Sequence, residues 1–186
     1  MTEDLTKRIW WVYLHKDLQE LIQQAFFLTQ VVEGWEGDLS VGASTVPGRK
    51  PSEHKRFHDY SFVVFPAAKA YEGFLKNLFL DLGFITSNDF YGKRFRIGKA
   101  LNPTLDKRFR KKEGVYDKVV NYCGGKELAD MLWDTWRKCR NVLFHWFPNE
   151  KNAIDFKEAK ERVDMILRTM NRAFKQCNID SNERKV

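Results

Sequence analysis

The sequence predicts an all-α fold, a bundle of four long helices with a long basic insertion between the second and the third. Three observations predict it. Apolar residues recur at three- and four-residue steps in four separate stretches. No stretch alternates apolar and polar residues strongly enough to build a sheet. Chain breakers (Gly34, Gly83, Gly124-Gly125 and Pro148) fall at the ends of the periodic stretches.

The first helix is expected from Ile9 to Val32, on Trp11, Leu14, Leu18, Ile22, Ala25 and Leu28, with Gly34 ending it. Residues 34–57 are rich in glycine and read as a long loop, of the kind that is often functional. The second helix is expected from about His58 to Leu82, with a kink or a fresh start at Pro66 and Gly83 as the residue just past its end. Residues 84–124 are the least regular, with room for short helices near 93–101 and 113–122. The third long helix spans roughly Lys126 to Phe147, with Leu128, Leu132, Cys139, Val142, Leu143 and Trp146 on its apolar side, and Pro148 stops it. The fourth spans roughly Ile154 to Cys177, on Ala159, Val163, Ile166, Met170 and Phe174. The expected organisation is therefore an N-terminal helix and loop at 1–57 packed on the bundle, a helical domain at 58–178 carrying the insertion at 84–124, and a flexible tail at 179–186.

Composition excludes several classes. With 43% hydrophobic and 31% charged residues over 186 positions, the chain is an ordinary folded protein of about one domain. No apolar run approaches the ~18–20 residues of a membrane span, and MTEDLTKR lacks a signal-peptide core. The three cysteines are odd in number and form no CxxC pair, which points away from a disulfide framework or zinc ribbon and towards the cytoplasm. His54 and His58 stand four apart beside Glu53 and Asp59, but such a pair at a loop–helix junction is usually incidental, and no metal and no cofactor is expected.

The charge is strongly localised. Between Lys93 and Lys112 stand Lys93, Arg94, Arg96, Lys99, Lys107, Arg108, Arg110, Lys111 and Lys112, against Asp106 alone. That net +8 exceeds the +7 of the whole chain, so the remainder sums to −1. Tyr91, Phe95 and Phe109 are interleaved with these cations. Cations beside aromatic rings suit a phosphate chain whose bases can stack, so RNA binding is expected here. The plainer alternative is a solvated surface loop.

The chemistry-bearing constellation is Arg140-Asn141-Val142-Leu143-Phe144-His145. On an ideal helix Asn141 and His145 share a face, while Arg140 and His145 lie about 140° apart. Arginine offers a fork of donors to non-bridging phosphate oxygens. Histidine titrates near neutrality and can take or give a proton. Asparagine can orient the imidazole or touch the phosphate. RNA carries its own nucleophile in the 2′-hydroxyl. On the second helix, Lys69 and Glu72 interrupt an apolar stretch and need partners or a wet cleft. Arg140 is the natural partner for Glu72, either holding the guanidinium ready or as a purely structural bridge, while Lys69 also fits a surface lysine. Trp133, Trp136 and Trp146 bracket the motif and suit core or dimer-interface burial better than base stacking.

RN-x3-H on the third of four helices resembles the HEPN superfamily of ribonucleases. FPAAKAYEGFLKNLFLDLGF is similar to the corresponding helix of the RNase LS-type HEPN toxins, in which a basic residue and a glutamate three positions apart join the arginine and histidine; here these are Lys69 and Glu72. The resemblance covers roughly 58–177, about two-thirds of the chain, and leaves residues before 58 and the insertion at 93–112 unaccounted for. It implies a metal-independent endoribonuclease, a homodimer with two motifs facing one cleft, and a toxin restrained by an antitoxin protein or a phage-defence enzyme. The alternative is a non-catalytic module of the same fold that binds RNA or a protein partner.

Overall fold

The computed structural model describes residues 8–42, 57–146, 148 and 152–178, and the side chains of all of these but 36–42 and 112. Every regular element among the described residues is helical. The short α1 (Ile9–Tyr13) leads into the long α2 (Lys16–Gly42), and α3 (Ser61–Asp81) follows. The insertion folds into four short helices, α4 (Ser87–Tyr91), α5 (Ile97–Ala100), α6 (Lys107–Glu113) and α7 (Tyr116–Tyr122). Then come α8 (Gly125–Trp136), a π-helical turn (Arg137–Asn141) and α9 (Phe156–Gln176).

Helix α3 is the hub. Val63, Val64, Ala67, Ala68, Ala70, Tyr71, Phe74, Leu75, Leu78 and Phe79 are all buried, so only a narrow stripe of this helix meets solvent. Helices α2 and α9 pack against it, and α8 packs on α7 and α9. Two buried polar links fasten the layers. Tyr71 Oη donates to the Leu132 carbonyl at 3.0 Å, joining α3 to α8, and the Thr135 and Thr169 hydroxyls meet at 2.9 Å between α8 and α9. Helix α9 follows its predicted pattern, with Ala159, Val163, Ile166, Met170, Ala173 and Phe174 buried. Asp155 and Glu158 close a reciprocal capping box at its start.

The N-terminal helix departs from expectation in two ways. It breaks at Leu14-His15, where Gln19 Nε2 donates to the carbonyls of Trp11 (2.9 Å) and Leu14 (3.3 Å). It then runs through Gly34 as far as Gly42, so the first part of the expected loop is helical; residues 43–56, with His54, lie outside the described residues, as does the tail from 179. A glycine inside a helix costs only about 1 kcal/mol, and Lys160 of α9 pairs with Glu33 at 2.8 Å beside it. Helix α3 starts at Ser61 rather than His58, because Asp59 accepts from the Ser61 amide at 2.9 Å, and it continues through Pro66. Its end is as predicted. Gly83 has φ +68°, its amide donates to Leu80 O, and Phe84 N donates to Phe79 O at 2.8 Å.

The insertion is not a loose arm. Ile97, Ala100, Leu101, Val115 and Val119 are buried in the common core, and Val115 N donates to Ala100 O at 2.7 Å. The cysteine expectation is corrected. Cys123 and Cys177 form a disulfide across 54 residues of chain, fastening the end of α7 to the end of α9. Cys139 is free and buried. Since disulfides persist in oxidising surroundings, the cysteines no longer argue for the cytoplasm. No helix among the described residues is long and apolar enough to cross a membrane.

Candidate functional site

The third long helix does not continue to Phe147. Its α-helical part ends at Trp136, and Arg137–Asn141 form a π-turn in which Val142 N donates back five residues to Arg137 O at 3.0 Å. Such a turn takes in one extra residue and rotates everything downstream by roughly 100° relative to an unbroken helix. Cys139 and Leu143 still reach the core, but Val142 and Trp146, placed on the apolar side by a strict helical period, are exposed, Trp146 to 84%. His145 lies beyond the last turn. It therefore does not share a helix face with Asn141, which is exposed on the π-turn.

The structure brings Arg140 and Glu72 together. Arg140 Nε stands 3.6 Å from Glu72 Oε2, with the two side chains 40% and 33% exposed. The Arg140 guanidinium also lies over the ring of Trp136, 5.3 Å from its centroid, at a range where a cation is attracted to the face of an indole. Trp136 is 5% exposed and so a fixed support. The guanidinium is thus approached by a carboxylate and by an indole, and yet it still meets solvent. Lys69 occupies the exposed stripe of α3 one turn from Glu72, with Nζ 5.9 Å from the Phe65 ring, as a surface lysine does. Phe65 in turn meets Phe144 edge-on at 5.3 Å.

These pairings fix the course of the motif along α3. Arg140 stands level with Glu72 and Phe144 with Phe65, seven residues or about 10 Å nearer the start of α3 at 1.5 Å per residue. His145 follows, exposed, on the wall of a 1190 Å³ cavity that also takes in His58, Asp59, Tyr60, Trp146 and Phe156. Among the described residues, that wall includes His145 but not Arg140, Glu72 or Lys69. The backbone of His145 is held by Asn152, whose Nδ2 donates to the carbonyls of His145 (2.9 Å) and Val142 (3.3 Å). Asn152 thus does for the backbone what the sequence assigned to Asn141 for the imidazole. Its only signal was a polar residue shortly after a helix whose last carbonyls need donors.

Cys139 is no nucleophile. Burial pushes its thiol up to about 12, and its Sγ faces the Arg162 carbonyl and Met165 Sδ. Among the described residues no three His, Cys, Asp or Glu side chains converge as metal ligands.

The nine cations of the insertion divide. Lys99 pairs with Glu113 at 2.6 Å and lies over Phe109 at 4.5 Å, bracing α5 to α6. Arg108 pairs with Asp106 at 2.9 Å. Arg110 donates to Pro103 O at 2.9 Å and stands 3.8 Å from Asp117. Lys93, Arg94, Arg96, Lys107 and Lys111 are exposed and enter no ion pair among the described residues. Lys112 has no described side chain.

Gly98 of α5 links the insertion to the arginine. A Cβ at Gly98 would lie 2.6 Å from Trp136 Nε1, so only glycine lets α5 rest on this indole. No family model, no curated protein and no solved structure matches the chain.

Proposed function

We propose that the chain is an endoribonuclease of the HEPN type, cutting RNA by attack of the 2′-hydroxyl on the adjacent phosphorus. The observation that carries this is the half-buried Arg140, held by Glu72 and Trp136, five residues before an exposed histidine on a cavity wall. Arg140 would donate to the non-bridging oxygens and stabilise the charge that grows on them. His145 would take the proton of the 2′-hydroxyl. The 2′-oxygen–phosphorus bond forms as the bond to the 5′-oxygen breaks, and the departing 5′-oxygen takes a proton from water, leaving a 2′,3′-cyclic phosphate and a free 5′-hydroxyl. Glu72 positions Arg140, Asn141 is offered to the phosphate, and Lys69 adds positive charge on the same stripe of α3. The exposed cations of the insertion would hold the RNA backbone. A homodimer would bring a second motif to the same cleft, and an antitoxin protein is the partner the resemblance implies.

Incubation of labelled RNA in EDTA tests this. Products ending in 2′,3′-cyclic phosphate are expected, and their absence would reject the enzyme. The second reading, a non-catalytic RNA-binding module, is favoured by one observation. Among the described residues, the wall of the cavity that carries His145 does not include Arg140. Binding without products would establish it.

A further inference from the structure

We infer that the basic insertion and Arg140 form one continuous track for single-stranded RNA, joined at Trp136. The inference rests on the proposal that the chain acts on RNA, and deepens it by naming the form of the nucleic acid and the residues that read it.

The sorting of the cations comes first. Lys99, Arg108 and Arg110 are engaged within the insertion and set its shape. Lys93, Arg94 and Arg96 precede α5, and Lys107 and Lys111 stand one turn apart on α6; these five present their charge to solvent. A track of this kind matches a polyanion. Its aromatic content selects among polyanions. Tyr91 is 78% exposed just before the first three cations, and Phe90 meets it edge-on at 4.9 Å. An exposed ring fixed by a neighbour is a platform on which a base can stack, and only an unpaired base can reach it. A duplex offers no such base, and an acidic peptide gains nothing from the ring beyond its charge.

Continuity comes from α5. It is anchored by the buried Ile97, Ala100 and Leu101, and it touches the Trp136 indole at Gly98. The guanidinium of Arg140 lies over that same indole. The insertion and the arginine are thus fixed to one rigid side chain, and a strand bound along the first is led to the second.

The test uses a fluorescein-labelled 2′-O-methyl oligouridine of about 12 nucleotides, read by anisotropy over a range of salt. Its blocked 2′-oxygen prevents cleavage, so binding is measured without chemistry. Each phosphate contact on a single strand contributes about −0.7 to the slope of log K against log salt, so the five cations with Arg140 give a slope of about −4. The triple variant Lys93→Gln/Arg94→Gln/Arg96→Gln should fall to about −2, and Lys107→Gln/Lys111→Gln to about −3. Tyr91→Ala should weaken binding about tenfold with the slope unchanged. Arg140→Gln should weaken binding severalfold and lower the slope by about 0.7. A duplex of the same length should bind at least about tenfold more weakly. Unchanged slopes in both multiple variants, tighter binding of the duplex, no effect of Arg140→Gln, or displacement of the oligonucleotide by an equal concentration of polyglutamate would each overturn the track. Loss of cleavage of ordinary RNA with these binding results intact would reject the nuclease alone. Cleavage without them would reject the track alone.

Discussion

Tyr71 sits at the centre of α3 with its hydroxyl donating to the Leu132 carbonyl, and burial, with Cys139 nearby, raises its pKa well above the ordinary value of 10.0. Cys139 is raised to about 12 in the same way, burial being the main cause. Both groups stay protonated in the folded chain while the unfolded chain ionises at the usual ~8.5 for the thiol and ~10 for the phenol. Their contribution to stability is therefore complete below about pH 8.5 and is lost as pH rises towards the folded values. Tyr71→Phe should cost about 1 kcal/mol at pH 7 through its lost hydrogen bond. It should also lose less stability than the wild type between about pH 10 and 11. Urea unfolding at the two pH values checks this, and equally steep decline in both proteins would contradict it. Asn152 is the second telling residue. Asn152→Ala leaves two carbonyls at the end of the π-turn without their side-chain donor, and should destabilise the protein by about 1 kcal/mol while lowering cleavage, because His145 loses its backbone clamp. Retention of full cleavage would show that the clamp does not position the histidine.

Helix termini and cross-links carry predictions at the scale of elements. Gly83→Ala forces a side chain onto a left-handed residue at the end of α3 and should cost about 1 kcal/mol; Asp155→Ala opens the capping box of α9 at a similar cost. A shift in thermal midpoint reads either one. The Cys123–Cys177 bond closes 54 residues of chain, for which the loop-entropy relation gives up to about 4 kcal/mol of stabilisation. Reduction should lower the thermal midpoint markedly, and Cys139→Ser should leave that loss in place. What was legible in the sequence follows the same division. Helices α3 and α9 could be read because every turn places an apolar residue on the buried side, and Gly83 because its place after Leu82 fits only one kind of helix end. The π-turn could not be read. One extra residue leaves no mark in a pattern of threes and fours, so Val142 and Trp146 were assigned to the wrong face. The disulfide was hidden by an odd cysteine count and a long separation. At the site, the Arg140–Glu72 pair was legible because a charge on an apolar stretch demands a partner. The roles of Trp136, Gly98 and Asn152 depend on tertiary approach, which spacing along the chain does not show.

For the whole molecule, the arrangement of charge and motif is the feature that organises everything else. A near-neutral helical body carries one basic insertion, and that insertion is built into the core through Ile97, Ala100 and Leu101 rather than hung from it. It rests on the tryptophan that also supports the candidate arginine. Arg140 pairs with Glu72, while Phe144, the neighbour of His145, meets Phe65 seven residues nearer the start of α3. In the homodimer of the proposal, the arginine of one chain and the histidine of the other would complete one cleft. Mixing separately purified Arg140→Ala and His145→Ala proteins, then timing the release of 2′,3′-cyclic phosphate ends from RNA, examines this directly. Each variant alone should be inactive, and the mixture should recover a substantial fraction of wild-type cleavage. If His145→Ala alone cuts RNA as fast as the wild type, the histidine has no part in the reaction and the nuclease proposal is wrong.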